Sequence, residues 1–460
     1  MRDKKGKDPI IDVIGNLSSY ISKSTEADLP EEVITKAKHH ILDTLAAIVS
    51  GSTLKPGRLA IKYAEHQGGT EEAKVIGSGI MTTAVNAALL NGIMAHADET
   101  DDVNLKCMLH PGCAIVPAAM AMAEREAVEG MVFLKGVVVG YDIGGRINLA
   151  LDPHFLRKVS RSETTIGCNF GAAAAGAAIA RLKDNLVSFV LSYTAQQASG
   201  VLYWARDDEH IEKAFVFGGM PARNGVTAVT FMQSGFTGVG DPFSGPDNFF
   251  DAFSPNARPN LLIEELGSRY EIMSSGIKKY SVGAPMQAPV DALFLLMERH
   301  GFKLKDVLDI SVRLPSNVSS IVDNRTMPNI NIQHIFAVIL LDGDLTFEAT
   351  HSYERMNDPN VIETKKIVTL IPDDELAAAK ISRQGIVEVT TKDGARLREH
   401  VVSVRGSAEN PMTTEEVEKK CLDLLVPVLG EDRSKKLIDA IWNLEQVRNV
   451  RELRPLLSPL

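Results

Sequence analysis

The sequence predicts a mainly α-helical protein, in which a smaller α+β lid domain interrupts a large all-helical domain. Three observations predict this class. Apolar residues recur at helical spacing through the first half, β-type alternation begins only after about residue 270, and helical patterns return near the C-terminus. The predicted boundaries are 1–270 for the first helical part, 271–404 for the lid and 405–460 for the helical return. An insertion beside a helical body creates a cleft, which is a common position for ligand sites.

The helical parts carry recognisable start and stop signals. Pro30 occupies a first-turn position, an apolar stripe follows it, and Gly51 provides a stop. Further helices are predicted over Met81–Met94 and Pro117–Glu126. The C-terminal helical part begins with the capping-box pattern of residues 413–416.

A glycine-rich stretch, Gly167–Gly176, has two possible interpretations. It could be taken for a phosphate-binding loop, but it lacks the GK[ST] ending and a preceding strand. Small residues also allow two helices to approach closely. We therefore expect this stretch to be a helix–helix contact.

The lid is predicted from strand patterns. Asp309–Leu314 alternates with a period of two, and Ile367–Ile371 is a compact β-branched run. Ile386–Val401 is typical of a hairpin with Asp393 and Gly394 at its turn.

Composition excludes several classes of protein. The formal net charge is −10 and the pI is about 5.6, so a nucleic-acid-binding surface is not expected. The charged N-terminus has no apolar stretch behind it, and no apolar run is long enough for a membrane span. The four cysteines lack zinc or cluster spacing. We therefore expect a cytoplasmic protein with reduced thiols and with neither a cysteine-ligated zinc site nor an iron–sulfur cluster.

The segment His96–His110, HADETDDVNLKCMLH, concentrates the groups that could carry chemistry. Its carboxylates crowd one helix end, while His110 stands on a Pro-Gly turn that fixes the backbone. A histidine suits proton transfer because its ordinary pKa lies near operating pH. The cluster could also be a solvated helix end, or a metal-binding aspartate motif as in isoprenoid synthases. Those enzymes need a second acidic motif and an aromatic cavity, whereas this chain has only 6% aromatic residues.

The surrounding run, NGIMAHADETDDVNLKCMLHPGCAIVPAAMAMAE, closely resembles the MmgE/PrpD family. That family contains 2-methylcitrate dehydratase, cis-aconitate decarboxylase and iminodisuccinate epimerase. Further matching motifs follow in order and together span nearly the whole chain: GCNFGAAAA at Gly167–Ala175, EKAFVFGGMPARNG at Glu212–Gly225, IKKY at Ile277–Tyr280 and QHIFAVILLDG at Gln333–Gly343.

The resemblance implies a helical domain with a smaller lid, a homodimer, no metal and a small polycarboxylate substrate. It implies catalysis by proton transfer next to a carboxylate. His110 falls on the family's catalytic histidine and Glu99 on an active-site carboxylate. Lys213 falls on a lysine that binds substrate carboxylate, and Lys278 with Tyr280 matches the family's K-x-Y element.

The chemistry of the reaction is consistent with those roles. Removing a proton next to a carboxylate develops enediolate charge, which fixed cations stabilise. The candidate catalytic residues are His110, Glu99, Lys213 and Tyr280. The candidate substrate-binding residues are Lys278, Arg161, Arg223, Gln287 and His334, and Asp101 with Asp102 is expected to support the loop.

Four positions depart from the family pattern. Val103 stands where a threonine often follows the paired aspartates, and Arg161 where a second active-site histidine is common. Gln287 replaces another frequent histidine and His334 a frequent tyrosine. These changes predict a substrate other than 2-methylcitrate or cis-aconitate.

The predicted function is a cofactor-independent lyase of the 2-methylcitrate dehydratase-like type, which eliminates water from a small di- or tricarboxylic acid. Epimerisation and decarboxylation of a related polycarboxylate remain open alternatives. A further alternative is a non-catalytic family member that binds a carboxylate in the same cleft.

Overall fold

The computed structural model describes residues 12–379 and 383–459. Helices account for 60% of the chain and strands for 9%, which confirms the mainly α class. Within the described part, no helix combines the length and apolar character needed to cross a bilayer.

Helices dominate the first half of the chain. They are α1 (Val13–Lys23), α2 (Glu31–Gly51), α3 (Lys55–Ala64), α4 (Ala84–Ala95), α5 (Gly112–Glu126), α6 (Gly130–Leu151), α7 (Pro153–Lys158), α8 (Glu163–Ile179), α9 (Asp184–Gln196), α10 (Ile211–Ala214), α11 (Met220–Gln233) and α12 (Phe249–Phe253). Two short strands, β1 (Ala73–Lys74) and β2 (Met81–Thr82), pair antiparallel between α3 and α4.

The second half mixes helices and strands. The helices are α13 (Gln287–His300), α14 (Ser316–Ser319), α15 (Ile332–Asp342), α16 (Phe347–His351), α17 (Tyr353–Met356), α18 (Pro359–Lys365), α19 (Asp374–Ala378), α20 (Thr414–Leu429) and α21 (Glu431–Trp442). The strands are β3 (Val307–Pro315), β4 (Val368–Asp373), β5 (Gly385–Thr391) and β6 (Arg396–Val401).

The sequence prediction was wrong at the start of α4. Met81 and Thr82 belong to β2, and the helix begins only after Thr83, whose side chain accepts a hydrogen bond from the N–H of Asn86. A stretch as short as Met81–Thr82 can belong to a helix or to a strand. Its pairing with β1 makes it a strand. By contrast, the capping box of Thr413 and Glu416 at the start of α20 is confirmed.

The glycine-rich stretch lies inside α8 and packs against α6. A Cβ atom on Gly171 would lie 2.7 Å from the carbonyl oxygen of Gly140. One turn away, a Cβ on Gly144 would lie 3.0 Å from the carbonyl oxygen of Gly167. The two backbones can approach this closely because neither glycine carries a side chain, so the predicted helix–helix contact is confirmed.

The second half builds one mixed sheet in the strand order β4-β3-β5-β6. β3 runs parallel to β4 and antiparallel to β5, and β5 and β6 form the predicted hairpin. Gly394 in its turn has φ of 90°, a left-handed conformation that glycine adopts without a Cβ clash.

The buried apolar residues of the described chain form two separate cores. One spans the helices of the first half together with α20 and α21. The other runs from Val282 to Val401 and joins the sheet to α13 and α15. The boundaries predicted at residues 270 and 404 stay predictions.

Candidate active site

The acidic segment predicted to carry the chemistry crosses the protein between α4 and α5. Val103 exchanges two backbone hydrogen bonds with Gly276, at 2.9 and 2.8 Å, and Asn104 pairs with Leu109. The chain then turns through His110 and Pro111 into α5. The segment is therefore held at both ends and along its length, which fixes the side chains that it carries.

Asp101 lies at the centre of the site and joins two histidines. Its Oδ2 lies 2.9 Å from Nδ1 of His96 and 3.1 Å from Nδ1 of His110. Because a carboxylate only accepts hydrogen bonds, each Nδ1 carries a proton and the Nε2 of a neutral ring carries a lone pair. His96 is fully buried, whereas the side chain of His110 keeps 16% of its surface exposed. His110 is thus the histidine of this pair that a substrate can reach.

Lys278 supplies the positive charge behind Asp101. Its Nζ donates to Oδ1 of Asp101 at 3.2 Å and to the backbone carbonyl of Glu99 at 2.9 Å. Burial would raise the pKa of Asp101, but the neighbouring His96, Lys278 and His110 outweigh it and hold that pKa well below its usual range. Burial would likewise lower the pKa of Lys278, yet the neighbouring carboxylates raise it. Both groups are therefore ionised.

Glu99 pairs with two lysines. Lys213 donates directly to its Oε1, and Nζ of Lys278 lies 3.6 Å from its Oε2. Burial opposes ionisation of Glu99, but Lys213, Lys278 and His210 hold its pKa well below the usual range. A carboxyl group in this state cannot donate a proton near neutral pH. Glu99 is therefore a fixed anion that positions the two ammonium groups.

Lys213 reaches the site from α10, immediately before a π-helical turn at Phe215–Gly219. Such single turns within longer helices are frequent at functional sites. The turn stacks Phe217 on the ring of His96 at 4.6 Å and brings the same phenyl ring to 5.3 Å from that of His110. Nζ of Lys213 lies 5.3 Å from the centre of this ring, so the lysine is bounded by apolar surface on one side.

Asp102 joins the segment to the helices behind it. Its Oδ2 accepts from His40 at 2.6 Å and from the hydroxyl of Tyr141 at 2.7 Å. Its Oδ1 accepts a hydrogen bond from the backbone N–H of Gly112 at 2.8 Å, at the first turn of α5. The helix dipole stabilises a negative charge at this position. These contacts fix the loop next to His110.

Several polar residues of this site were missed at the sequence level. Lys420 of α20 bonds Asp43 and the carbonyl of Thr100, and Nε2 of His351 in α16 lies 2.8 Å from Asp98. His210, with φ of 58°, lies 5.0 Å from His96 between ring centres. Each is an isolated residue in an otherwise ordinary helix or loop, so no local pattern marks it.

The other residues predicted to bind substrate use their polar groups elsewhere. Nη1 of Arg161 donates to the carbonyl of Phe253 at 2.9 Å, and Nη2 of Arg223 donates to the side chain of Asn224 at 2.9 Å. Both guanidinium groups donate to neutral oxygens, so their positive charge can still attract an anion. The roles given to Arg161 and Arg223 stay predictions.

Tyr280, Gln287 and His334 belong to the second core or its edge. The hydroxyl of Tyr280 donates to Asp291 at 2.9 Å, and Nε2 of Gln287 donates to the carbonyl of Tyr280 at 2.8 Å. Burial, followed by the charge of Lys365, lowers the pKa of His334 to about 4. The catalytic role predicted for Tyr280 and the binding roles of the other two stay predictions.

Two groups of the described residues have the spacing of a metal site, and both include His96. Ligand atoms of His96, Glu99 and His210 lie within 4.8 Å of one another, and so do those of His96, Asp101 and Cys113. The ammonium of Lys213 already binds the Glu99 carboxylate, and Lys278 lies beside it. A divalent cation at Glu99 would have to displace or repel both ammonium groups, so that donor set suits lysine better than a metal.

A cavity of about 210 Å³ opens beside Lys278. Its walls come from both cores, and they include the acidic segment at Val103, α13 at Gln287 and Arg383, which lies two residues before β5. Lys278 lines this cavity and also bonds Asp101 and the backbone of Glu99, so it connects the cavity to the buried network.

Sequence comparison identifies the family to which this arrangement belongs. The profile of the MmgE/PrpD N-terminal domain matches residues 15–262, and that of the MmgE/PrpD C-terminal domain matches residues 280–446. The chain belongs to the MmgE/PrpD family.

Relatives within the MmgE/PrpD family cover almost the whole chain. Cis-aconitate decarboxylase-like protein oryM of Aspergillus oryzae is 23% identical over 482 residues, with 97% of each chain covered. Cis-aconitate decarboxylase of Aspergillus terreus is 24% identical and covers 97% of this chain and 96% of its own. Cis-aconitate decarboxylase of Homo sapiens is 26% identical and covers 94% of this chain and 91% of its own.

Proposed function

We propose that this MmgE/PrpD protein is a cofactor-independent lyase that transfers a proton next to a carboxylate of a small di- or tricarboxylic acid. The observation that carries the proposal is the pairing of His110 with Asp101 at 3.1 Å. The carboxylate holds the proton on Nδ1, so Nε2 of a neutral imidazole remains able to accept one.

The first step follows from that geometry. Nε2 of His110 takes the proton from the carbon next to a substrate carboxylate, and the electron pair moves onto that carboxylate as an enediolate. The ammonium of Lys213 lies 5.3 Å from the centre of the Phe217 ring, which also contacts His110, and 16% of the lysine side chain is exposed. It stabilises the developing charge, and Lys278 adds a second, buried positive charge.

In this proposal Glu99 and Asp101 do not react with the substrate themselves but position the side chains that do. Both are anions, and each binds at least one cationic partner. Without them, two ammonium groups would face each other in a buried site and repel. Their role in the proposal is to position Lys213, Lys278 and His110 and to keep the lysines protonated.

The reaction can then take either of two forms. Elimination of water follows when the enediolate expels a hydroxyl group from the adjacent carbon, and the protonated His110 returns its proton to that oxygen as water leaves. Decarboxylation is the second candidate, since the relatives from both Aspergillus species and from human are named as cis-aconitate decarboxylases or decarboxylase-like. In that reaction no proton is removed first: the bond to the departing carboxylate breaks, its electron pair is stabilised by the remaining substrate, and His110 in its protonated form donates a proton to the resulting carbanion. At 23 to 26% identity, relatives share a fold and a reaction class more readily than a substrate.

One experiment tests the proposal and separates the two forms. The purified protein is incubated in heavy water with citrate, 2-methylcitrate, cis-aconitate, succinate and aspartate in turn, and each mixture is followed by NMR. We expect deuterium uptake next to a carboxylate, together with loss of water or of carbon dioxide. Deuterium uptake with inversion of the carbon centre and no other product would instead indicate an epimerase. Tight binding of an acid without exchange would indicate a non-catalytic carboxylate-binding protein.

Two further expectations accompany the proposal. Activity should persist in EDTA, because lysines occupy the position that a metal would need. The protein should also behave as a homodimer in light scattering, and it should act in the cytoplasm on a free small acid. A monomer with full activity would overturn the expectation of a dimer and leave the proposed chemistry standing.

A further inference from the structure

Arg383 presents a guanidinium whose Nη1 has no partner among the residues that the structure describes. This nitrogen is also buried. Burial and the nearby charge of Arg157 lower the pKa of its guanidinium, with Glu99 opposing them. A guanidinium remains charged even so, and a buried N–H donor that has no acceptor is unfavourable.

The location of Arg383 suggests what would neutralise it. The residue lines the cavity beside Lys278, in the same wall as Gln287. The negative charge of Glu99, which also binds Lys213, is close enough to raise the pKa of the Arg383 guanidinium. Arg383 and the lysines therefore lie near the same carboxylate. An anion in this cavity would meet the positive charges of both Arg383 and Lys278.

The backbone at Arg383 is also unusual. Its φ is 69°, in the left-handed region that residues with a Cβ rarely adopt. Gly385, two residues on, begins β5 against Pro289 of α13, where an added Cβ would meet the proline ring at 2.7 Å. The strained backbone thus leads directly into a tightly packed strand, and the guanidinium is placed at the cavity. Strain that persists at such a position is typical of binding sites.

We propose that Arg383 binds a second carboxylate of the substrate and so selects di- and tricarboxylates over monocarboxylates. This inference rests on the proposed function, in which the first carboxylate lies at Lys213 and the reacting carbon at His110. A guanidinium binds a carboxylate through two parallel N–H···O bonds, which fixes orientation as well as charge. Arg383 approaches from the second core, so the bound acid would connect the two cores.

The inference can be tested without knowing the substrate. Tricarballylate, a tricarboxylate without a hydroxyl leaving group, and butyrate, a monocarboxylate, serve as probes in calorimetric titrations. The variants are R383Q and R383G. Glycine removes the charge and also relieves the positive φ, so the second variant should fold at least as well as the wild type.

The matched control is K106Q. Lys106 lines the same cavity, but its ammonium is already paired with Glu271 at 3.0 Å. We expect both Arg383 variants to bind tricarballylate about 10- to 100-fold more weakly than wild type. We expect K106Q to stay within about threefold of wild type, and butyrate binding to be unchanged by any of the three substitutions.

The outcomes separate this inference from the proposed function. If wild type and both Arg383 variants bind tricarballylate equally, the inference is overturned, whatever the heavy-water experiment gives. If binding depends on Arg383 but no acid exchanges deuterium, the inference stands and the proposed catalysis fails. Equal losses for butyrate and tricarballylate would also overturn it, because Arg383 would then not distinguish the number of carboxylates.

Discussion

Nδ1 of His110 lies 3.1 Å from Oδ2 of Asp101, and these two residues connect the open part of the site to its buried part. The aspartate side chain is completely buried, while the histidine keeps part of its surface accessible. The same carboxylate oxygen holds His96, and its partner oxygen holds Lys278. Asp101 therefore determines both the tautomer of His110 and the position of a buried positive charge.

Replacing His110 with alanine should abolish turnover and leave folding intact. General acid–base groups contribute about 100- to 10,000-fold, and we expect a loss of that size in the rate of deuterium exchange. The thermal unfolding midpoint should change little because His96 and Lys278 still pair with Asp101 when His110 is lost. His66, an exposed histidine, provides the control substitution H66A, which should leave the exchange rate unchanged. Full activity in H110A would remove His110 from the mechanism.

The pair of Asp101 and Lys278 should show strong energetic coupling. K278M leaves two buried carboxylates with one cation fewer, and D101N leaves Lys278 with less negative charge. Breaking one side of a buried pair costs about 3–5 kcal/mol of unfolding free energy. The double variant should lose less than the sum of the two single losses, as measured by urea unfolding. Simple additivity would show that the two charges do not depend on each other.

Gly218 should be intolerant of a side chain. A Cβ there would lie 2.0 Å from the carbonyl oxygen of Gly92, within the contact between α4 and the π-helical turn that follows Lys213. We expect G218A to lower the unfolding free energy by about 2–4 kcal/mol and to reduce activity by moving Lys213. Gly79 has open space around its Cβ position, so G79A is the matched control and should change neither property. A wild-type melting curve for G218A would contradict the close contact.

Stability should fall as the pH is lowered below about 6.5. Burial, followed by the charges of His40 and Lys36, lowers the pKa of His39 from 6.5 to about 4. The unfolded chain then binds a proton more tightly than the folded protein, so stability is complete above pH 6.5 and is lost on acidification towards pH 4. One such group contributes a slope of about 1.4 kcal/mol per pH unit.

The matching variants for this pH prediction are H39Q and H66Q. Urea unfolding between pH 7.5 and 4.5 should show a shallower decline for H39Q, since glutamine does not titrate and can still bond Thr414. The exposed His66 variant should keep the wild-type slope. An unchanged slope in H39Q would mean that other groups, such as the buried His96 and His210, dominate the acid sensitivity.

The sequence by itself determined the mainly helical class, the strands of the sheet, the family, and the segment that holds Asp101 and His110. These features are local, because a helix stripe, a hairpin turn and a contiguous motif each lie within a short window of sequence. The start of α4 was misplaced because β2 is defined by a partner strand outside the helical window.

Only the tertiary structure decided which distant residues join that segment. His40, His351, Lys420 and Arg383 come from separate elements, and no motif in the sequence links any of them to residues 96–110. Their proximity follows from how α2, α16, α20 and the approach to β5 pack around residues 96–110. Buried charges must find partners in space rather than in sequence, so pairing of this kind cannot be derived from spacing along the chain.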